Sequence, residues 1–384
     1  MGMRRNGCEV SWAVARACLA VLLVSVLFGC SGSSNNKFTT QPQSNFLYAG
    51  TQNGITVFPV NASTGALGTG SPATSVTTAS DPLANMVSDQ AGKFLFACNL
   101  YSSSTEAFSI NAGSGALTPI SGSIFPLLGF GGCTLSIDPT DKFLYIADSA
   151  GVSGFTVNST TGVLSAMAGS PFSDGSVLRE SVIGPSGNFL YAISNNTNLN
   201  TISVFSIDSS SGALTPIVGS PFPLSLSGIA YSVAVHPSGK FLYVSFPETE
   251  QIAAWSIDAS TGIPTVVPGS PFASGVASGD APNSLSVAPS GEFLYALSGG
   301  ATVFGFSIDT NSGALSTVKG SPFTLSTGYV AIDPSSQFLY AADANADTVA
   351  GFNINSSTGA LTAFTTPPVP AAGVTLLTVV KLSP

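Results

Sequence analysis

An aromatic triplet recurs seven times along this chain and limits what it can fold into more than any other feature. The copies are Phe46-Leu47-Tyr48, Phe94-Leu95-Phe96, Phe143-Leu144-Tyr145, Phe189-Leu190-Tyr191, Phe241-Leu242-Tyr243, Phe293-Leu294-Tyr295 and Phe338-Leu339-Tyr340. Successive copies lie 45 to 52 residues apart. A second landmark keeps step with them, a loop glycine at Gly65, Gly115, Gly162, Gly212, Gly262, Gly313 and Gly359. Repeats of this length mean one supersecondary unit used again and again, because a single unit cannot bury its own apolar faces.

Each unit reads as four short strands. "YSVAVHP" alternates like a first strand, and "HPSG" makes a tight turn with Pro at its second position and Gly at its fourth, as type I turns prefer. "KFLYVSF" and "IAAWSID" are the second and third strands. "ASTG" is a hairpin loop whose glycine supplies positive φ, "IPTVV" is the fourth strand, and "PGSPF" closes the unit. Three adjacent apolar residues suit a strand covered on both faces. Four strands per unit and seven units predict an all-β, seven-bladed β-propeller.

The ends of the chain bear on closure. A proline stands four places before the triplet Phe in copies three to seven: Pro139, Pro185, Pro237, Pro289 and Pro334. Copy one starts almost at its triplet and lacks a first strand. "TVVKLSP" at the C-terminus can supply it, with Pro384 in the proline column and Ser383 just before it. The last strand is therefore expected to complete the first blade and close the ring, leaving no open sheet edge there. The propeller is expected over residues 46–384.

Composition agrees with strands and turns. The chain is 44% hydrophobic and only 8% charged, where an average domain has about 25% charged residues. Residues 1–29 read as a signal peptide, with Arg4, Arg5 and Arg16 before or beside an apolar run, Cys18 to Phe28, too short to span a bilayer. Leu27-Phe28-Gly29-Cys30 resembles the lipobox of bacterial lipoproteins, and that resemblance implies lipidation at Cys30, with residues 30–45 as lipidated cysteine and polar linker. The expected location is the cell envelope, on the extracytoplasmic side. Discounting Arg4, Arg5, Arg16 and Glu9 from the ten basic and 19 acidic residues leaves seven and 18, a formal net charge of −11. Seven cations build no basic patch, so nucleic acid is not an expected partner. Beyond the membrane anchor, the expected partner is a neutral small molecule, a glycan or an envelope protein, met by a monomer.

At this point "HPSGKFLYVSF" and "AWSIDASTG" resemble the YVTN/lactonase group of seven-bladed propellers, which includes 6-phosphogluconolactonase-like proteins. The resemblance spans residues 46–384, and its motifs are turn and packing motifs. Relatives of this kind place Arg and His side chains where the inner strands start, for binding a carbonyl and moving a proton. Those columns lie ten and nine residues before each triplet Phe. Here they hold Asn85; Cys133 and Thr134; Arg179 and Glu180; Tyr231 and Ser232; Asn283 and Ser284; Gly328 and Tyr329.

The catalytic candidates are Arg179, to hold a carbonyl, and Glu180, to act as general base. Neighbours on a regular strand point to opposite faces, so the pair is expected to have difficulty reaching one substrate. Asn85, Tyr231, Asp280, Asn283 and Tyr329 are candidate ligand-binding residues for hydroxyl groups. The only histidine, His236, falls five places before a triplet Phe, in the column of Asp138, Gly184, Ala288 and Asp333, and reads as a turn residue. With one His and two spare Cys, neither a metal site nor any other cofactor is expected. Cys98 and Cys133 lie at similar depth in neighbouring blades and could either pair or stay free, since pairing needs a narrow range of Cα separation. The function expected is binding or scaffolding at the envelope, with opening of a neutral, sugar-type lactone as the alternative.

Overall fold

The triplets form the second strands of seven four-stranded antiparallel sheets in a computed structural model. It describes residues 45–51, 54–74, 82–99, 104–122, 124–126, 133–194, 200–224, 226–274, 282–298, 302–324 and 328–382. Cys30 and Asp280 lie outside the described residues. Blade five shows the pattern: Val233–Val235, Phe241–Phe246, Gln251–Ile257 and Pro264–Val266 pair in that order, from the innermost strand outward. Each innermost strand touches the innermost strands on both sides, and the circuit closes through Val374–Lys381. Among the described residues the one helical element is a 3-10 turn, Pro247–Thr249.

Why Phe-Leu-Tyr? All seven leucines are fully buried. The seven hydrophobic cores lie between blades, each packing the aromatic residues of one triplet on the leucine of the next. Phe46 and Tyr48 meet Leu95, Phe143 and Tyr145 meet Leu190, and Phe241 and Tyr243 meet Leu294. Phe338 and Tyr340 of blade seven meet Leu47 of blade one, which seals the ring. Alternation along the strand sends Leu to one neighbour and the aromatics to the other.

The loop glycines belong to the same contact. The hydroxyls of Tyr48, Tyr145, Tyr243, Tyr295 and Tyr340 donate to the carbonyls of Gly115, Gly212, Gly313, Gly359 and Gly65, one blade on, at 2.7 to 3.1 Å. Desolvation raises the pKa of these five phenols, which keeps them as donors. The Phe of the same triplet presses on that glycine: at Gly313 an added Cβ would sit 2.4 Å from Phe241 Cδ1. The recurring "GSPF" also has a physical part. Its serine hydroxyl accepts the N–H of a third-strand residue, as Ser220 does from Val204 and Ser270 from Ala254, both at 2.9 Å.

The C-terminal strand completes blade one, but not in the register that "TVVKLSP" suggested. Val379, not Leu382, opposes Leu47, and Lys381 opposes Asn45. Placing Pro384 in the proline column would have put Lys381 in the column of Ala234, which is buried. The observed register, three residues away, leaves Lys381 exposed and buries Leu376 and Val380. Ser383 and Pro384 lie outside the described residues.

His236 is a turn residue, as its column implied. Its Nε2 lies 2.7 Å from the carbonyl oxygen of Gly291 in the next blade, while Nδ1 accepts the backbone N–H of Ser238 at 3.0 Å. This pairing fixes the tautomer with the proton on Nε2. The carboxylates of Asp89, Asp138 and Asp333, in the same column, instead accept backbone N–H groups of their own turns.

Candidate functional site at the channel mouth

The innermost strands begin at one mouth of the ring, and their first residues link blade to blade. Asn85 Oδ1 accepts the Leu135 N–H at 3.2 Å, and Thr134 Oγ1 donates to the Arg179 carbonyl at 3.3 Å. Glu180 Oε1 accepts from Ser232 Oγ at 3.1 Å and takes a further hydrogen bond from the Val233 N–H. Ser232 Oγ in turn accepts the Leu285 N–H at 3.1 Å. A polar belt therefore runs from blade two to blade six. Asn85 is committed to that belt through its carbonyl oxygen, and Ser232 belongs to it although its residue type had given no reason to single it out.

Arg179 and Glu180 do not behave as neighbours on a regular strand. The ladder between the two inner strands of blade four slips between Leu178 and Glu180, leaving Arg179 in a bulge. Such a bulge re-aims a side chain. Both residues reach the start of the innermost segment of blade five: Arg179 engages Tyr231, and Glu180 engages Ser232 and Val233. They reach it differently: Arg179 lies against the partly exposed Tyr231, and Glu180 bonds the buried Ser232. Blades two and six slip at the same column, between Leu83 and Asn85 and between Pro282 and Ser284, which places Asn283 in a bulge like Arg179.

The guanidinium carbon of Arg179 lies 3.6 Å from the ring centroid of Tyr231, and Nε donates to the Tyr231 carbonyl at 3.2 Å. A cation this close to a phenol face is held by the ring quadrupole, and its remaining donors stay available. Tyr231 and Tyr329 are 38% and 44% exposed, unusually open for aromatic residues in this chain. Burial raises the pKa of the Tyr329 phenol, with the nearby Tyr231 phenol adding to the rise. Asn200 steadies the segment leading to Tyr231, donating to the Gly228 carbonyl and accepting the Ala230 N–H.

Glu180 carries the electrostatic anomaly of the mouth. Burial pushes its carboxyl up to about 7, against the hydrogen bonds from Ser232 and Val233 and the charge of Arg179, which hold it down. A carboxyl in that range exchanges its proton near neutrality. Among the described residues no cluster of His, Cys, Asp and Glu could hold a metal ion.

Cys98 and Cys133 come together with Cα atoms 6.3 Å apart and their sulfurs in contact, at the interface of blades two and three. That Cα separation suits a disulfide. We expect the purified, unreduced protein to show no reactive thiol at these positions, and Cys133→Ser to lower stability by about 2–4 kcal/mol. Thiol titration with a denaturation series checks both, and two reactive thiols without reductant would refute the pairing.

A family model described as lactonase, seven-bladed β-propeller, matches residues 32–126, 134–330 and 233–377. No curated protein sequence matches the chain. Similar solved structures include a putative 6-phosphogluconolactonase from Bacteroides fragilis, 19% identical with a TM-score of 0.72, covering 89% of this chain and 99% of that one. Another is the periplasmic gluconolactonase of Pseudomonas aeruginosa, 18% identical with a TM-score of 0.71, covering 88% and 99%. A third, from Bacteroides uniformis, is a putative 6-phosphogluconolactonase, 18% identical with a TM-score of 0.71, covering 88% and 100%. At these identities the likeness is one of fold. The family match spans the same seven blades that the triplets mark out, and the chain belongs to the lactonase family of seven-bladed β-propellers.

Proposed function

We propose that the channel mouth binds a neutral, hydroxyl-rich ring, such as a sugar lactone or the end of a glycan, while the chain is held at the cell envelope through Cys30. The Arg179–Tyr231 stack is the observation that carries this reading: a flat cation on an aromatic face, half open to solvent, with Tyr329 nearby. Guanidinium donors suit a carbonyl or vicinal hydroxyls, and the phenols offer both hydrogen bonds and apolar faces. A chain so poor in cations gives a phosphorylated ligand little to hold, so the ligand is neutral. Cys30→Ser should move the protein from the membrane fraction to the soluble fraction of a fractionated cell. Retention in the membrane would remove the anchor from this account.

The second reading, opening of a neutral lactone, is favoured by Glu180. A general base works best with a pKa near the working pH, and Glu180 meets that condition beside the one mouth cation among the described residues. In this account Arg179 holds the lactone carbonyl and ionised Glu180 takes a proton from the attacking water. The name of one structural relative, a periplasmic gluconolactonase, points the same way.

One experiment separates the two. Glucono-δ-lactone is offered to the wild type, to Arg179→Ala and to Glu180→Gln, with calorimetric affinity and ring-opening rate both measured. Binding alone predicts affinity without turnover, reduced roughly tenfold or more by Arg179→Ala and little changed by Glu180→Gln. Hydrolysis predicts a rate that climbs as pH rises through about 7 and falls roughly 100-fold in Glu180→Gln. Absence of both binding and turnover of neutral lactones and sugars would defeat the proposal as a whole. Stability gives an internal check. Because the folded pKa is raised, protonated Glu180 contributes stability that is fully present below the ordinary carboxylate range and lost as pH rises through about 7. Glu180→Gln should flatten that decline.

A further inference from the structure

Six of the seven triplets end in tyrosine, and five of those hydroxyls bond the loop glycine of the next blade. Tyr191 is the exception. Its side chain is only 1% exposed, yet its hydroxyl has no hydrogen-bond partner among the described residues. It borders a cavity of about 90 Å³ between the turns of blades four and five, lined also by Gly184, Phe189, Ser238, Gly239 and Ile257.

The next interface shows what fills this volume elsewhere. There the turn column holds His236, whose ring spans to blade six and sets Nε2 2.7 Å from the Gly291 carbonyl oxygen. In blade four the same column holds Gly184, which has no side chain to reach across. Gly239 corresponds to Gly291, and the two turns share one conformation, with φ of 72° and 78°. The Gly239 carbonyl thus has the aim of the Gly291 carbonyl, without an imidazole to donate to it. The cavity offers the Gly239 carbonyl as an acceptor, the Tyr191 hydroxyl as a donor and apolar walls from Phe189 and Ile257, while the Ser186 and Ser238 hydroxyls that also line it accept backbone N–H groups of their own turns. None of its lining residues is charged.

We propose that this cavity binds a small, neutral, planar nitrogen heterocycle of imidazole size, which donates N–H to the Gly239 carbonyl and accepts from the Tyr191 hydroxyl. An imidazole ring has one group of each kind, and walls without charge favour its neutral form. The site is independent of the channel mouth: Gly184 stands four residues along the inner strand from Glu180, roughly 13 Å away.

The test uses imidazole itself, at about pH 8 to keep it neutral, with the purified full chain. Wild-type melting temperature should rise by roughly 1–2 °C at about 50 mM imidazole, against a sodium chloride control. Two variants locate the effect. Gly184→His should supply the missing ring, since a Cβ there meets only ordinary contacts, 3.6 Å from the Phe189 carbonyl oxygen and 3.7 Å from Tyr191 Cε2. It should melt no lower than wild type and lose the imidazole response. Tyr191→Phe removes a hydroxyl that makes no protein bond, so it should fold normally, as Phe96 does in blade two, and lose at least half the response. No shift in the wild type, or an equal shift in both folded variants, would overturn the proposal.

Discussion

A chain ending at Gly373 does not survive as a soluble, folded monomer. The deletion removes Val374–Lys381, which pairs with all seven residues of Asn45–Thr51. It also strips Val374, Leu376, Val380 and Leu382 from the cores on both sides of blade one, where each is at most 4% exposed. Burying four such side chains contributes roughly 6–12 kcal/mol. That is comparable with the whole stability of an ordinary domain, about 5–15 kcal/mol. The loss is also topological, because blade one would present an apolar strand with free backbone groups, an edge open to other chains. Size-exclusion chromatography and near-ultraviolet circular dichroism check the outcome. A truncated monomer with an intact melting transition would mean that the ring does not depend on this closure.

How far could this be read from the chain itself? The blades were legible because a repeat shows its period directly, and the triplets report burial on both strand faces. His236 was legible as a turn residue because its column holds aspartates that cap turns; its reach to Gly291 was not, since it crosses between blades. The register of the last strand was misread for a related reason. "VTLLTVVK" is apolar almost throughout, so several registers satisfy the pattern, and the choice rests on which one leaves Lys381 in solvent.

The site was legible as a set of columns and opaque as geometry. Counting back from each Phe found Arg179, Glu180, Tyr231 and Tyr329, but alternation assumes an unbroken ladder. One extra residue at Arg179 breaks that ladder, and Arg179 and Glu180 bond two adjacent residues, Tyr231 and Ser232, just before the innermost strand of blade five. Nor could sequence show that Glu180 would be buried enough to titrate near neutrality, because that depends on side chains contributed by another blade.

The second large effect concerns the loop glycines. Gly313→Val should lower stability by about 3–5 kcal/mol, whereas Gly122→Val should cost only about 1–2 kcal/mol. The two glycines share a backbone conformation, φ +76° and +74°, so the strain of a side chain in the left-handed region is common to both. They differ in surroundings. An added Cβ at Gly313 meets the Phe241 ring at 2.4 Å, while at Gly122 nothing lies within 4 Å. Phe241 cannot withdraw freely, because it sits in a core with Tyr243, Leu294 and Ile308. Gly313 must also keep its carbonyl within reach of the Tyr243 hydroxyl. Urea denaturation of both variants gives the difference directly, and equal losses would show that backbone strain alone explains the glycine. A double-mutant cycle then names the partner. If the clash is with the Phe241 ring, Phe241→Leu should make Gly313→Val less damaging than it is alone, by about 1 kcal/mol or more. Simple additivity would place the overlap elsewhere and detach the glycine landmark from the aromatic one.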